Sequence, residues 1–205
     1  WRCFRSSPKM RQQIAQDLYT KALISYPRTS SQKLPATLNY KKILQSISKQ
    51  IIYKPLVNKI LVLPKIKPRE GAKSDPAHPS IYPTGEAPKA LDDGQRSIYD
   101  LIVRRFLAVF AEPAAKEVTK VVFEVENEKF NYTGNRIAVE GWREFYGKYA
   151  PKVEGEIPAL TTNDVLQQKT KFESKKTKPP GHYTSASIIR ELEKRTLGTK
   201  STRAN

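Results

Sequence analysis

A single cysteine, Cys3, and two histidines, His78 and His182, are all that the 205 residues offer of these metal-ligating side chains. One cysteine excludes an internal disulfide, and so small a Cys/His set leaves no structural zinc cluster. This usage points to a reducing, cytoplasmic compartment. No apolar run approaches the roughly 20 residues of a membrane-spanning helix, which argues against insertion into a bilayer. The opening Trp1-Arg2-Cys3-Phe4-Arg5 lacks the apolar core and cleavage site of a signal peptide. No initiator Met precedes it, so the sequence reads as part of a longer chain. Acidic residues are few against basic ones, 20 to 37.

What is abundant is positive charge. A net charge of +17 calls for a polyanionic partner, nucleic acid or an anionic membrane surface. The length fits one to two domains. The 15 prolines favour long connections, while a hydrophobic content of 38% keeps the chain out of the disordered class.

Periodicity divides the chain. Ser7 as N-cap and Pro8 at the first position open a helix with Met10, Ile14, Leu18 and Ala22 on its apolar stripe, leaving Lys9, Arg11 and Lys21 solvated or on phosphate. Pro27 ends it. A second helix spans 39–52 with Ile43, Leu44, Ile47 and Ile51 inward. Four prolines break 53–76, where a short helix over 56–63 precedes a basic loop, 65–73, that either tracks a DNA backbone or is a solvated connection. Asp92 or Asp93 starts a long helix to about Phe110, with Ile98, Leu101, Phe106 and Phe110 in the core and Arg104 and Arg105 facing solvent or DNA.

Beyond Pro113 the period becomes two. Val118 to Val125, Phe130 with Tyr132, and Ile137 with Val139 read as three antiparallel strands, turning near Asn127-Glu128 and Gly134-Asn135. Residues 141–149 form a short helix or turn closing that sheet, and further strands are expected at 156–160 and 170–173. Lys-rich 169–178 is a linker into a last helix, capped by Thr184 or Ser185, with Ile188, Ile189 and Leu192 as its buried stripe.

The chemistry concentrates in Tyr26-Pro27-Arg28-Thr29-Ser30-Ser31. Pro27 biases Tyr26 toward extended backbone, where Tyr26 and Arg28 share a face. A phenol of pKa about 10 is about one part in a thousand ionised at neutral pH. Lowering that value to 7 takes roughly 4 kcal/mol. Arg28 can favour the phenolate or hold two phosphate oxygens in its planar fork. The plainer alternative is a half-buried ring beside a surface charge.

The run from Gln13 to Thr29 resembles the active-site segment of type IA DNA topoisomerases. So do Ala77-His78-Pro79-Ser80-Ile81-Tyr82-Pro83-Thr84, and Pro179-Pro180-Gly181-His182-Tyr183-Thr184-Ser185-Ala186-Ser187 with Gly198-Thr199-Lys200-Ser201-Thr202-Arg203-Ala204. The continuation Ser30-Ser31-Gln32-Lys33-Leu34-Pro35 looks like the archaeal branch. Bacterial members usually carry Asp where Ser30 stands, and often an acidic residue and Arg where Pro79 and Tyr82 stand.

The resemblance implies an α+β, mostly helical fold: a helix-turn-helix-like tyrosine domain over 1–113, a β-rich arch or hinge over 114–176, and the start of a helical single-strand-binding domain over 177–205. It implies Tyr26 as nucleophile, with Arg28 and His78 assisting. Thr29, Lys33, His182, Tyr183, Thr184, Lys200, Thr202 and Arg203 would lie along single-stranded DNA. It further implies Mg²⁺, held by an acidic N-terminal domain that is not among these residues, and negatively supercoiled DNA as substrate. The alternatives are a non-catalytic single-strand-binding module, the matching part of a reverse gyrase, or a tyrosine recombinase. A recombinase would place its tyrosine near the C-terminus.

Overall fold

The computed structural model describes residues 7–75, 77–153, 155, 160–167, 169 and 171–198. Its described elements are six α-helices, one short 3-10 turn and a two-stranded sheet, an α+β arrangement.

Helix α1 (Pro8–Thr20) begins as the sequence dictates, with the Ser7 hydroxyl accepting from the Met10 amide. It ends earlier than Pro27 predicts. The Ala22 amide donates to Tyr19 O and the Leu23 amide to Leu18 O, while Ala22 sits at φ 58°. This is a left-handed helix stop, and both Leu18 and Leu23 are buried in the core cluster. Ala22 is therefore an exposed turn residue and no part of an apolar stripe, and Met10 is exposed too. Arg11, expected in solvent, is buried.

Asn39 caps α2 (Tyr40–Ser48), which buries Ile43, Leu44 and Ile47. The helix stops before Ile51, which is 87% exposed in the following turn, so that residue is not in the core. Helix α3 (Lys54–Leu61) takes Pro55 into its first turn and starts two residues before the expected position. Asp92 caps α4 (Asp93–Ala108), the longest helix. The core gathers where these four helices meet, around Leu18, Leu44, Ile47, Val57, Ile60, Val103 and Leu107. Leu101, expected inside it, is half-buried.

Arg104 turns inward instead of toward solvent or DNA. Its Nε donates to Asp100 Oδ1 at 2.9 Å, and the Tyr53 hydroxyl donates to the same oxygen at 3.1 Å. The second carboxylate oxygen receives the Tyr149 hydroxyl at 2.9 Å and Lys148 Nζ at 3.2 Å. Burial alone would raise the Asp100 pKa, but these donors and the Arg104 charge outweigh it and hold the carboxyl below the usual range. Burial and then the Asp100 charge push the Tyr53 phenol well above its ordinary value.

Strands β1 (Ala115–Val125) and β2 (Glu128–Val139) form one long antiparallel hairpin joined at Glu126-Asn127. The expected turn at Gly134-Asn135 is absent: both residues lie within β2, opposite Thr119 and Val118. An eleven-residue partner strand overrides the local turn tendency of Gly-Asn, so two of the three expected strands are one. Val118, Val122, Phe130, Tyr132 and Val139 are all exposed on it.

The segment after the hairpin, α5 (Trp142–Tyr146) and the 3-10 turn Gly147–Tyr149, packs on α4 and does not close the sheet. Gly141 makes the return possible. It has φ 47°, and a Cβ there would collide with the Pro113 carbonyl, because the Trp142 amide donates to Glu112 O across the crossing. The strand expected at 156–160 lies mostly outside the described residues. Residues 171–173 of the other carry no regular structure. Helix α6 (Ser185–Lys194) has Thr184 as N-cap in a reciprocal box with Ser187. It fully buries none of its residues: Ile188 is 38% exposed while Ile189 and Leu192 are half-buried, so the expected stripe is only partly covered among the described residues.

Candidate active site

After the left-handed stop at Ala22 the chain runs extended, and residues 23–34 are zipped to 70–84. The Thr84 amide donates to Leu23 O at 3.1 Å and the Thr84 hydroxyl to Ala22 O at 2.7 Å. The Ser25 amide donates to Tyr82 O, and the Tyr82 amide returns a bond to the Ser25 hydroxyl. Farther along, the Ser80 amide donates to Lys33 O and the Gln32 amide to Lys73 O. Buried Ile24 bridges to Pro83 and ties this ribbon to the helical core. Tyr26 is thus delivered by a pair of extended segments, not by a helix end.

The zipper sets His78 against Tyr26. Their ring centroids are 4.6 Å apart with planes inclined by 47°, and the Thr29 hydroxyl donates to His78 O at 3.0 Å. The opposite neighbour of Tyr26 is Tyr19 of α1, edge-on at 5.4 Å. Arg28 is exposed and reaches back to the same helix. With the Gln12 amide oxygen turned toward it, Gln12 accepts from Arg28 Nε at 2.7 Å and Nη2 at 3.2 Å. Gln12 and Tyr19 stand seven positions apart, which is one stripe of a helix. Tyr26 and Arg28 therefore share that stripe as their backing. Two residues past Arg28, the Ser30 amide and hydroxyl donate to Asp75, which also accepts from the Ala77 amide.

This arrangement places an aromatic hydroxyl, an imidazole and a guanidinium on one partly open ledge of a basic protein. The sequence profile of a family described as DNA topoisomerase matches residues 2–205. DNA topoisomerase 1 of Pyrococcus horikoshii is 47% identical over 204 residues, which is 98% of this chain and 30% of that protein. The DNA topoisomerase 1 of Methanocaldococcus jannaschii is 48% identical over 98% of this chain and 26% of its own length. The chain belongs to the type IA DNA topoisomerases.

A DNA topoisomerase 3 of Caenorhabditis elegans is also similar, 36% identical over 98% of the chain. The chain spans 30% or less of the length of these topoisomerases. Within the family frame, the structure brings Tyr26, Arg28, Thr29 and His78 into one cluster. Lys33 is exposed, farther along the zipper, where its carbonyl accepts the Ser80 amide. His182, Tyr183 and Thr184 lie in the exposed approach to α6, where Thr184 is committed to capping. Lys200, Thr202 and Arg203 lie outside the described residues. The basic loop 65–73 is exposed in part, and Arg69 is paired with Glu112 at 2.9 Å.

Gln12, Tyr19 and Asp75 were not singled out by sequence reasoning. The seven-residue spacing of Gln12 and Tyr19 was a usable signal, whereas nothing local marks Asp75 as a partner of Ser30. Among the described residues no group of three or more His, Cys, Asp or Glu side chains stands together to hold a metal ion. The donor set for Mg²⁺ is therefore not found in them. No helix is long and apolar enough to cross a membrane, among the residues described.

Proposed function

We propose that this chain carries the strand-cleaving tyrosine of a topoisomerase that relaxes negatively supercoiled DNA. The Tyr26 oxygen attacks the phosphorus of a single-stranded phosphodiester. As the new P–O bond forms, the bond to the 3′ oxygen breaks, leaving a 5′-phosphotyrosine and a free 3′ hydroxyl. The phenol proton passes toward His78 and the departing 3′ oxygen takes up a proton. Arg28 offers charge-assisted donors to the phosphoryl oxygens as negative charge builds on them. The reverse transfer reseals the strand once another has passed.

The observation that carries this reading is the contact of Tyr26 with His78 at 4.6 Å, held by a backbone zipper between segments distant in sequence. Thr29, Lys33, His182, Tyr183, Thr184, Lys200, Thr202 and Arg203 line the single strand. Residues 1–113, 114–176 and 177–205 act as tyrosine domain, hinge and start of the strand-binding domain. An acidic Mg²⁺ domain of the complete protein is the partner.

The test is Tyr26→Phe in the complete protein, trapped with denaturant on a single-stranded oligonucleotide. The covalent adduct should vanish while oligonucleotide affinity stays within about twofold, because the ring and its packing remain. An adduct in the Phe variant rules out Tyr26 as nucleophile. No adduct in either protein would favour the non-catalytic binding module.

A further inference from the structure

We infer that Gln12 is a positioning residue for Arg28, and that it must be neutral to act as one. The inference rests on the reading of the Tyr26 ledge given above. A guanidinium has two hydrogen-bonding edges, one made of Nε with one terminal nitrogen and one made of the two terminal nitrogens. With the Gln12 amide assigned so that its oxygen faces Arg28, that oxygen takes the first edge whole, at 2.7 Å from Nε and 3.2 Å from Nη2. The end-on edge is left for an incoming anion, and Arg28 is an exposed residue.

An amide acceptor fixes the orientation of the fork and leaves its charge intact. A carboxylate at the same place would fix it equally well, but would cancel the charge and repel a phosphate. The rest of α1 supports a fixed platform. Gln12 is half-buried, one stripe along from Tyr19, whose ring edges against Tyr26. One helix face thus sets the aim of both the guanidinium and the phenol. Arg28 itself extends from the zippered segment, so its direction depends on this contact with α1.

Two substitutions separate the roles of shape and charge. Gln12→Met keeps the length and removes the acceptor. It should slow single-turnover cleavage of a single-stranded oligonucleotide on the order of tenfold, as expected when a reacting group loses its orientation. Gln12→Glu keeps the acceptor and adds charge. It should slow cleavage at least as much and also lower the salt slope of oligonucleotide binding by about 0.7, the loss of one phosphate contact on a single strand. Both effects should disappear in an Arg28→Ala background, measured as a double-mutant cycle in the complete protein.

If the Gln12 substitutions slow cleavage by the same factor with and without Arg28, or change neither rate nor salt slope, Gln12 does not act through Arg28 and the inference is overturned. Thermal midpoints measured in parallel identify a loss that comes from unfolding, which also overturns it. Failure of the underlying reading is visible separately, as an adduct that persists in Tyr26→Phe.

Discussion

The imidazole of His78 lies against the ring of Tyr26, and the carbonyl of that same histidine accepts the hydroxyl of Thr29, three residues beyond the tyrosine. The side chain and the main chain of one residue are thereby registered to one short stretch. Thr29→Val keeps the shape and removes the bond to His78 O, together with the acceptor for the Ser31 amide. The cost should be about 1–2 kcal/mol, confined to the ledge. Adduct formation by the complete protein should slow while the melting of the helical core barely moves. Unchanged cleavage would mean that the tether does not set the histidine.

Polarity of the covalent link is a sharper test of the chemistry. An oligonucleotide labelled at its 3′ end should carry its label into the protein band, and a 5′ label should leave with the released fragment. The opposite distribution would fit a recombinase-type 3′-phosphotyrosine and would refute the proposed step even if Tyr26 proved essential.

Asp100 supplies a test of stability. Its carboxylate is shared by Tyr53, Arg104, Lys148 and Tyr149, so Asp100→Asn should destabilise the helical unit by about 3–5 kcal/mol, as when one partner of a buried ion pair is removed. The folded pKa lies below the ordinary value of 3.8, so the folded state releases this proton more readily than the unfolded chain. The contribution is complete above that ordinary value and is lost as pH falls through the folded pKa. Denaturant titrations between pH 7 and pH 3 should show the Asn variant losing less with acid than the parent. Equal acid slopes would show that another carboxylate dominates.

Two backbone positions predict changes of opposite sign. Ala22 holds a left-handed conformation that costs an L-residue about 1–2 kcal/mol, so Ala22→Gly should stabilise by up to that amount. Gly141→Ala should destabilise by about 1–3 kcal/mol, because it combines a positive φ with a collision against the Pro113 carbonyl. Chemical denaturation of the two variants reads both.

Residues that the structure brings together on the ledge were marked before any fold was known: Tyr26 with Arg28, and His78 in its proline-flanked block. Helix starts were legible for a local reason, since Ser7, Asn39, Asp92 and Thr184 each bond an amide three residues on. Helix ends were not. The stop at Ala22 is closed by the Leu23 amide on Leu18 O, with both leucines buried in the core, and no turn residue announces it. Gly134-Asn135 failed in the reverse sense, being a strong turn signal held straight by its partner strand. Arg11 and Arg104 looked like surface charge because their burial depends on other parts of the chain.

The zipper that unites residues 23–34 with 70–84 has a kinetic consequence. Its bonds close loops such as the 49-residue separation between Thr29 and His78, whereas helices close contacts within a turn. Closure of the ledge is expected to follow formation of the helices, and its exposed bonds are expected to open more readily than α4, while buried Ile24 and Pro83 hold its base to the core. Amide protons of Ser25, Tyr82 and Ser80 should exchange ahead of those in α4, so that competence for chemistry is gained and lost on a faster clock than the fold itself.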